Sequence, residues 1–237
     1  MRYFTRVTPT MPASIQTAAY ADTEILFDWH KIEGLKGGAI TGIQTVIRGT
    51  NGADQAAATL VGMDLLFATS HIPTLADGVN VSVDVAPSTL GTTGAITDTP
   101  GWQNNLIGYQ PILAADMNDT DLIYLTIASK MGINIPISGD LYVAAISKGA
   151  FDFRSTVQVS TETATSTTAV VVKTTSALIN FAPGDVLHDE NDRAIGTVKT
   201  VNSATEMTMT TNLVNATVDN KDLYALSPIQ LILGGTA

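Results

Sequence analysis

The stretch APGDVLHDENDRAIGTVKTV (residues 182–201) places three aspartates, a glutamate and a histidine between two apolar runs. It has two readings, a metal or acid–base site or the corner between two strands. Pro183-Gly184 introduces DVLHD, the tetrad ENDR at 190–193 turns the chain, and AIGTV leaves it. Short Asp and Asn side chains hydrogen-bond to their own backbone and so build such corners unaided. A calcium loop wants an acid or amide at its first, third and fifth positions, then glycine. Counting from Asp189, the third position is Asn191, but the fifth is Arg193 and the sixth Ala194. The corner reading therefore carries the segment, and with it an all-β expectation.

The rest of the chain repeats that grammar. Threonine supplies 34 of 237 residues, and its branched β-carbon sits well on a pleated, half-wet surface. Nineteen glycines punctuate short apolar runs. TEILFDWH (23–30) sets Ile25, Phe27 and Trp29 on one face, although Leu26 also fits a helical stripe over 22–35. ITGIQTVIRG is rich in β-branched residues and runs into the turn GTNGA. GVNVSVDV (78–85) alternates valine with polar residues, as a strand with one wet face requires. LVGMDLLFAT, NLIGYQPIL, TDLIYLTIAS and GDLYVAAIS continue the series. Beyond the polar, threonine-rich segment 151–168 come AVVVKT, GDVLHD, AIGTVKTV, EMTMTT and DLYALSPIQLILG.

These runs predict an N-terminal arm at 1–20, a β-sandwich of jelly-roll or immunoglobulin-like type at 21–155, and a small β-barrel or compact β-sandwich at 156–237. Echoes between PISGDLYVA, FAPGDVLHD and KDLYALSPI are turn-into-strand chemistry rather than a repeat.

Composition narrows function. An apolar fraction of 45% with 14% charged residues belongs to a folded chain. The formal charge of −10 comes without a basic patch, so binding to nucleic acid is not expected. No cysteine is present, which removes thiolate chemistry and sulfur-bound zinc. Residues 1–16 do not read as a secretory signal, and no apolar run is long enough for a helical membrane span.

Chemical motifs fail in turn. His30, His71 and His188 are far apart, with no HExxH pattern. AISKG lacks the first glycine of a nucleophile elbow, and GLKGG lacks the spacing of a phosphate loop. Asp116, Asp119 and Asp121 in AADMNDTD read as a solvated loop, and Trp29, Trp102, Tyr109 and Tyr124 as sheet residues before sugar platforms. The expectation is no enzyme, no cofactor and no metal.

ILFDW (25–29), VIRGTNGADQ (46–55), GYQ (108–110) and DLYVAAISKGAFDF (140–153) resemble a family of structural proteins from virions of tailed phages, especially marine and aquatic ones. GDVLHDENDRAIGTVKTV is similar to a small module of phage structural proteins. The resemblance implies a virion location and transfers no catalytic residue. It suggests a capsid decoration or cement protein on the outer capsid surface, with the major capsid protein as partner and a homotrimer as one form of self-association. A tail, baseplate or fibre component and a carbohydrate-binding adhesion module are the alternatives. The candidate interaction residues are Arg2, Tyr3, Phe4 and Arg6 in the arm, whose arginines could pair with acidic groups of a lattice.

Overall fold

A computed structural model describes residues 2–11, 20, 22, 25–33, 35, 37–48, 62–69, 106–114, 117–119, 123–126, 129–134, 140–149, 153, 157–173 and 181–236. Its described regular structure is β throughout, with fifteen strands paired antiparallel in three sheets.

The first sheet contains β1 (Arg2–Val7), β3 (Ala39–Arg48), β6 (Met117–Asp119), β7 (Ile123–Thr126), β8 (Ser129–Asn134) and β15 (Ile229–Thr236). Its order is β1-β15-β3-β7-β6, and β8 pairs with the other end of β3. β15 is the clearest amphipathic strand: Ile229, Leu231 and Leu233 are buried while Gln230, Ile232 and Gly234 between them are partly open. That period of two is what a strand with one covered face demands. Residues 2–7, expected in an arm, pair with β15 from Arg2↔Thr236 to Val7↔Leu231. Past β1, the backbone N–H of Met11 donates to Leu226 O at 2.7 Å, and the Met11 side chain is buried.

The second sheet has the order β2-β9-β4-β5, from β2 (Ile25–Lys31), β4 (Met63–Ala68), β5 (Leu106–Ile112) and β9 (Tyr142–Ser147). One core lies between it and the first sheet, where Leu26, Phe27, Leu65, Phe67 and Val143 meet Val7, Ile43, Ile47, Leu231 and Leu233. The region read as strand or helix is a strand, but not with the expected faces. Irregularities in the β2–β9 register between Ile25 and Phe27 and between Phe27 and His30 put Leu26 and Phe27 in this core. Ile25 and Trp29 pack instead with Ala144 and Ile146 in a satellite cluster. An extra residue in one strand of a pair breaks strict alternation in this way.

The third sheet runs β10-β13-β12-β11-β14, from β10 (Ala169–Val171), β11 (Val186–Asp189), β12 (Ala194–Ser203), β13 (Glu206–Met209) and β14 (Leu223–Ala225). Val170, Leu187, Ile195, Val198, Met207 and Leu223 belong to its own core.

The expected sandwich-plus-barrel architecture is not what the described residues form: they make open antiparallel sheets, none closed into a barrel or strongly curled. A barrel needs a continuous ladder from first strand to last. Around the third sheet the contacts Gln158↔Asp222 and Val159↔Val172 are single bridges that stop short of one. The long C-terminal strand that could have extended this sheet, β15, is taken by the first one. β14 is shared between cores, with Leu223 and Ala225 facing the third-sheet core while Tyr224 and the following Leu226 pack into the first. GVNVSVDV and the GTNGA turn lie outside the described residues.

Candidate functional site

The corner between β11 and β12 shows how each acid is used. Asp189 Oδ1 accepts the backbone N–H groups of Asn191 and Arg193, both at 3.0 Å. Its Oδ2 takes the Arg193 guanidinium through Nε at 2.8 Å and Nη2 at 2.6 Å. Burial alone would raise the Asp189 pKa, but the guanidinium and the two backbone donors together hold it below the usual carboxylate range. Asp192 adopts φ 58°, a left-handed conformation that Asp tolerates better than most residues. Its Oδ1 lies 2.9 Å from His188 Nδ1 and accepts the Tyr224 hydroxyl at 3.2 Å. Burial, then the Asp192 carboxylate, pushes the Tyr224 phenol well above its ordinary value. Asp185 Oδ2 accepts the Ala182 N–H at 2.8 Å, closing the Pro-Gly turn in which Gly184 sits at φ 97°. Glu190 pairs with Lys221.

Each acid thus has its own partner and the carboxylates do not converge. Among the described residues no group of three or more His, Asp or Glu could hold a metal ion. The corner is a structural turn, as its spacing predicts.

The other singled-out residues are likewise dispersed. His30 sits half-buried on β2, where burial lowers its pKa and Glu33 partly opposes the shift. Ser147, the serine of AISKG, is buried and exchanges hydrogen bonds with the backbone of Gly149. Asp119 lies on β6, Tyr124 on β7, and His71, Trp102, Asp116 and Asp121 fall outside the described residues.

Tyr109 is 54% exposed on β5 and its hydroxyl donates to Asp64 Oδ1 at 2.9 Å. Lys148 Nζ reaches the other oxygen of Asp64 at 3.0 Å. Bonding to this carboxylate raises the pKa of both Tyr109 and Lys148. The sequence reading missed this trio, because Asp64 is an acid inside an otherwise apolar strand and its two partners are distant in the chain.

Of the N-terminal candidates, Phe4 is 73% exposed and Arg6 is exposed, while the side chains of Arg2 and Tyr3 lie outside the described set. The register explains Phe4: it stands opposite Gly234, which in turn stands opposite Gly42. Side chains directly opposite in antiparallel strands share a face, so Phe4 has no side chain beside it across two strands. Arg6 lies two residues further on the same face, and makes no ion pair with any described residue.

Arg6 opens onto a cleft of ≈ 740 Å³ between the outer face of the first sheet and the 182–188 segment. Thr8, Thr10 and Gln230 continue the polar wall from Arg6. Val46, beside Gln230 on the sheet, and Pro183, Val186 and Leu226 supply the apolar lining, and His188 borders it. Alternation places Arg6 and Thr8 on one face of the N-terminal segment, but nothing in local sequence signals that 182–188 would close over them.

No protein-family model matches the chain, and no curated protein sequence matches it either.

Proposed function

We propose that this chain is a virion structural protein of a tailed phage, docking on the outside of the capsid as a decoration protein. The phage part of this reading rests on the sequence resemblance. The observation that carries docking is the apolar display on β5, which among the described residues ends its sheet and pairs only with β4. Ile107, Tyr109 and Leu113 are all exposed along it or just past its end, at 40%, 54% and 57%. Contiguous exposed apolar side chains on a sheet edge favour association, either across the patch or by an added strand. The partner in this reading is the major capsid protein, with a homotrimer as the unit that docks.

The experiment adds purified protein to undecorated capsids and counts bound copies by quantitative mass spectrometry. Saturation at hundreds of copies, lost in the double variant Ile107→Asp/Leu113→Asp, supports decoration. A dozen or fewer copies per particle would move the protein to the tail or baseplate. No binding at all, with the wild type folded, would end the capsid proposal.

A further inference from the structure

The cleft beside Arg6 is a built recess with a defined chemistry. Its volume of ≈ 740 Å³ falls within the ~300–1,000 Å³ of small-molecule sites. Arg6 presents a planar, charged fork with no ion-pair partner among the described residues, suited to two oxygens of one anion. Thr8, Thr10 and Gln230 add hydrogen-bonding groups beside it, with Gln230 Nε2 contacting Thr8 Oγ1 at 3.5 Å. Val46 lies beside Gln230 on the same sheet face and Leu226 just before β15, while Pro183 and Val186 come from the 182–188 segment, Val186 being 43% exposed.

We propose that this cleft binds an amphipathic carboxylate, its acid group on Arg6 and its apolar portion against Val186, Pro183 and Leu226. Two features select carboxylate over phosphate. Among the described residues Arg6 is the only Lys or Arg of the lining, and the Asp185 carboxylate, bonded to the Ala182 N–H, borders the cleft from the 182–188 side. A dianion would meet that like charge with twice the repulsion. Exposed Phe4, two residues before Arg6, extends the apolar surface past the cleft, so the acid can belong to a small molecule or to an acidic–apolar peptide segment. The site does not depend on the capsid reading, and its test uses no capsid.

The full-length protein is titrated by calorimetry with N-acetyl-leucine, with N-acetyl-leucinamide, with inorganic phosphate, and with the blocked peptide acetyl-Leu-Asp-Leu-Glu-amide. Binding of either acid, weakened tenfold or more in Arg6→Gln and unchanged in Lys199→Gln, supports the site. Binding by the small acid assigns a free ligand, and binding by the peptide alone assigns a protein segment. Val186→Trp fills the cleft from its other wall and is expected to cause a similar loss, so the conclusion does not rest on Arg6→Gln folding well. The proposal is overturned if neither acid binds the folded wild type, if the amide binds as tightly as the acid, if phosphate binds more tightly than both acids, or if both variants bind normally.

Discussion

Replacing Asp189 by alanine probes the corner that turns β11 into β12. The side chain is 5% exposed and holds two backbone N–H groups and a bidentate guanidinium. Hydrogen bonds to a charged group contribute ~1.5–3 kcal/mol each, and breaking a buried pair from one side costs ~3–5 kcal/mol. Part of that loss is recovered, because Asn191 and Arg193 are exposed and their freed donors reach water. The expected net cost of Asp189→Ala is therefore about 2–4 kcal/mol in urea unfolding, or roughly 5–15 °C in Tm at this chain length. Asp189→Asn keeps an acceptor for both backbone donors but removes the charge facing Arg193, and should cost about half as much. The acid limb gives a second readout. The folded-state pKa of Asp189 lies below its unfolded value near ~3.9, so its contribution is present above that pH and is lost as pH falls through the folded pKa. Wild type should thus destabilise more steeply than Asp189→Asn below about pH 4. A change in Asp189→Ala smaller than ~0.5 kcal/mol, the size of an ordinary surface substitution, would refute this account of the turn. So would millimolar calcium raising the Tm of wild type but not of the variant, which would mark the acids as a cation site.

Two further outcomes are expected. Burial lowers the folded-state pKa of His30, so the histidine favours folding least when protonated; stability should fall as pH drops from about 7 through the unfolded value near ~6.5 toward the folded one, and His30→Gln should flatten that slope in thermal melts taken at pH 5, 6 and 7. Two glycines should respond oppositely: a Cβ at Gly62 would sit 2.7 Å from the Ile112 carbonyl oxygen, so Gly62→Ala should cost ~1–3 kcal/mol, whereas at Gly234 the nearest such contact is Gly42 O at 4.0 Å and Gly234→Thr should gain ~0.5–1 kcal/mol in the same urea assay.

What could be read before the structure, and what could not, divides by range. β11, β12 and β15 were legible because alternation and turn residues are local, and the ENDR corner was legible because Asp and Asn bond to neighbouring backbone. β2 misled because two register irregularities send Leu26 inward and Ile25 to the opposite cluster, and no residue in TEILFDWH announces a bulge. The barrel expectation failed for a longer-range reason. DLYALSPIQLILG reads as one run of the small C-terminal unit, but its apolar period is silent on partners, and its second half enters the first sheet as β15. The cleft was illegible on the same ground: its walls come from residues 6–10, 46, 182–188 and 226–230, which only the tertiary fold brings together.

The seat of β15 between β1 and β3 also shapes how the chain reaches this state. Ribosomal synthesis releases β1 and β3 first, and their shared neighbour follows roughly 180 residues later, on the order of ten seconds or more at ~5–20 residues per second. Throughout that interval two strands of the first sheet offer unpaired edges to other nascent chains, the exposure that seeds strand-to-strand aggregation. Slowing translation upstream of residue 229 should thus lower soluble yield, and supplying residues 229–236 ahead of residue 2 in a rearranged gene should raise it.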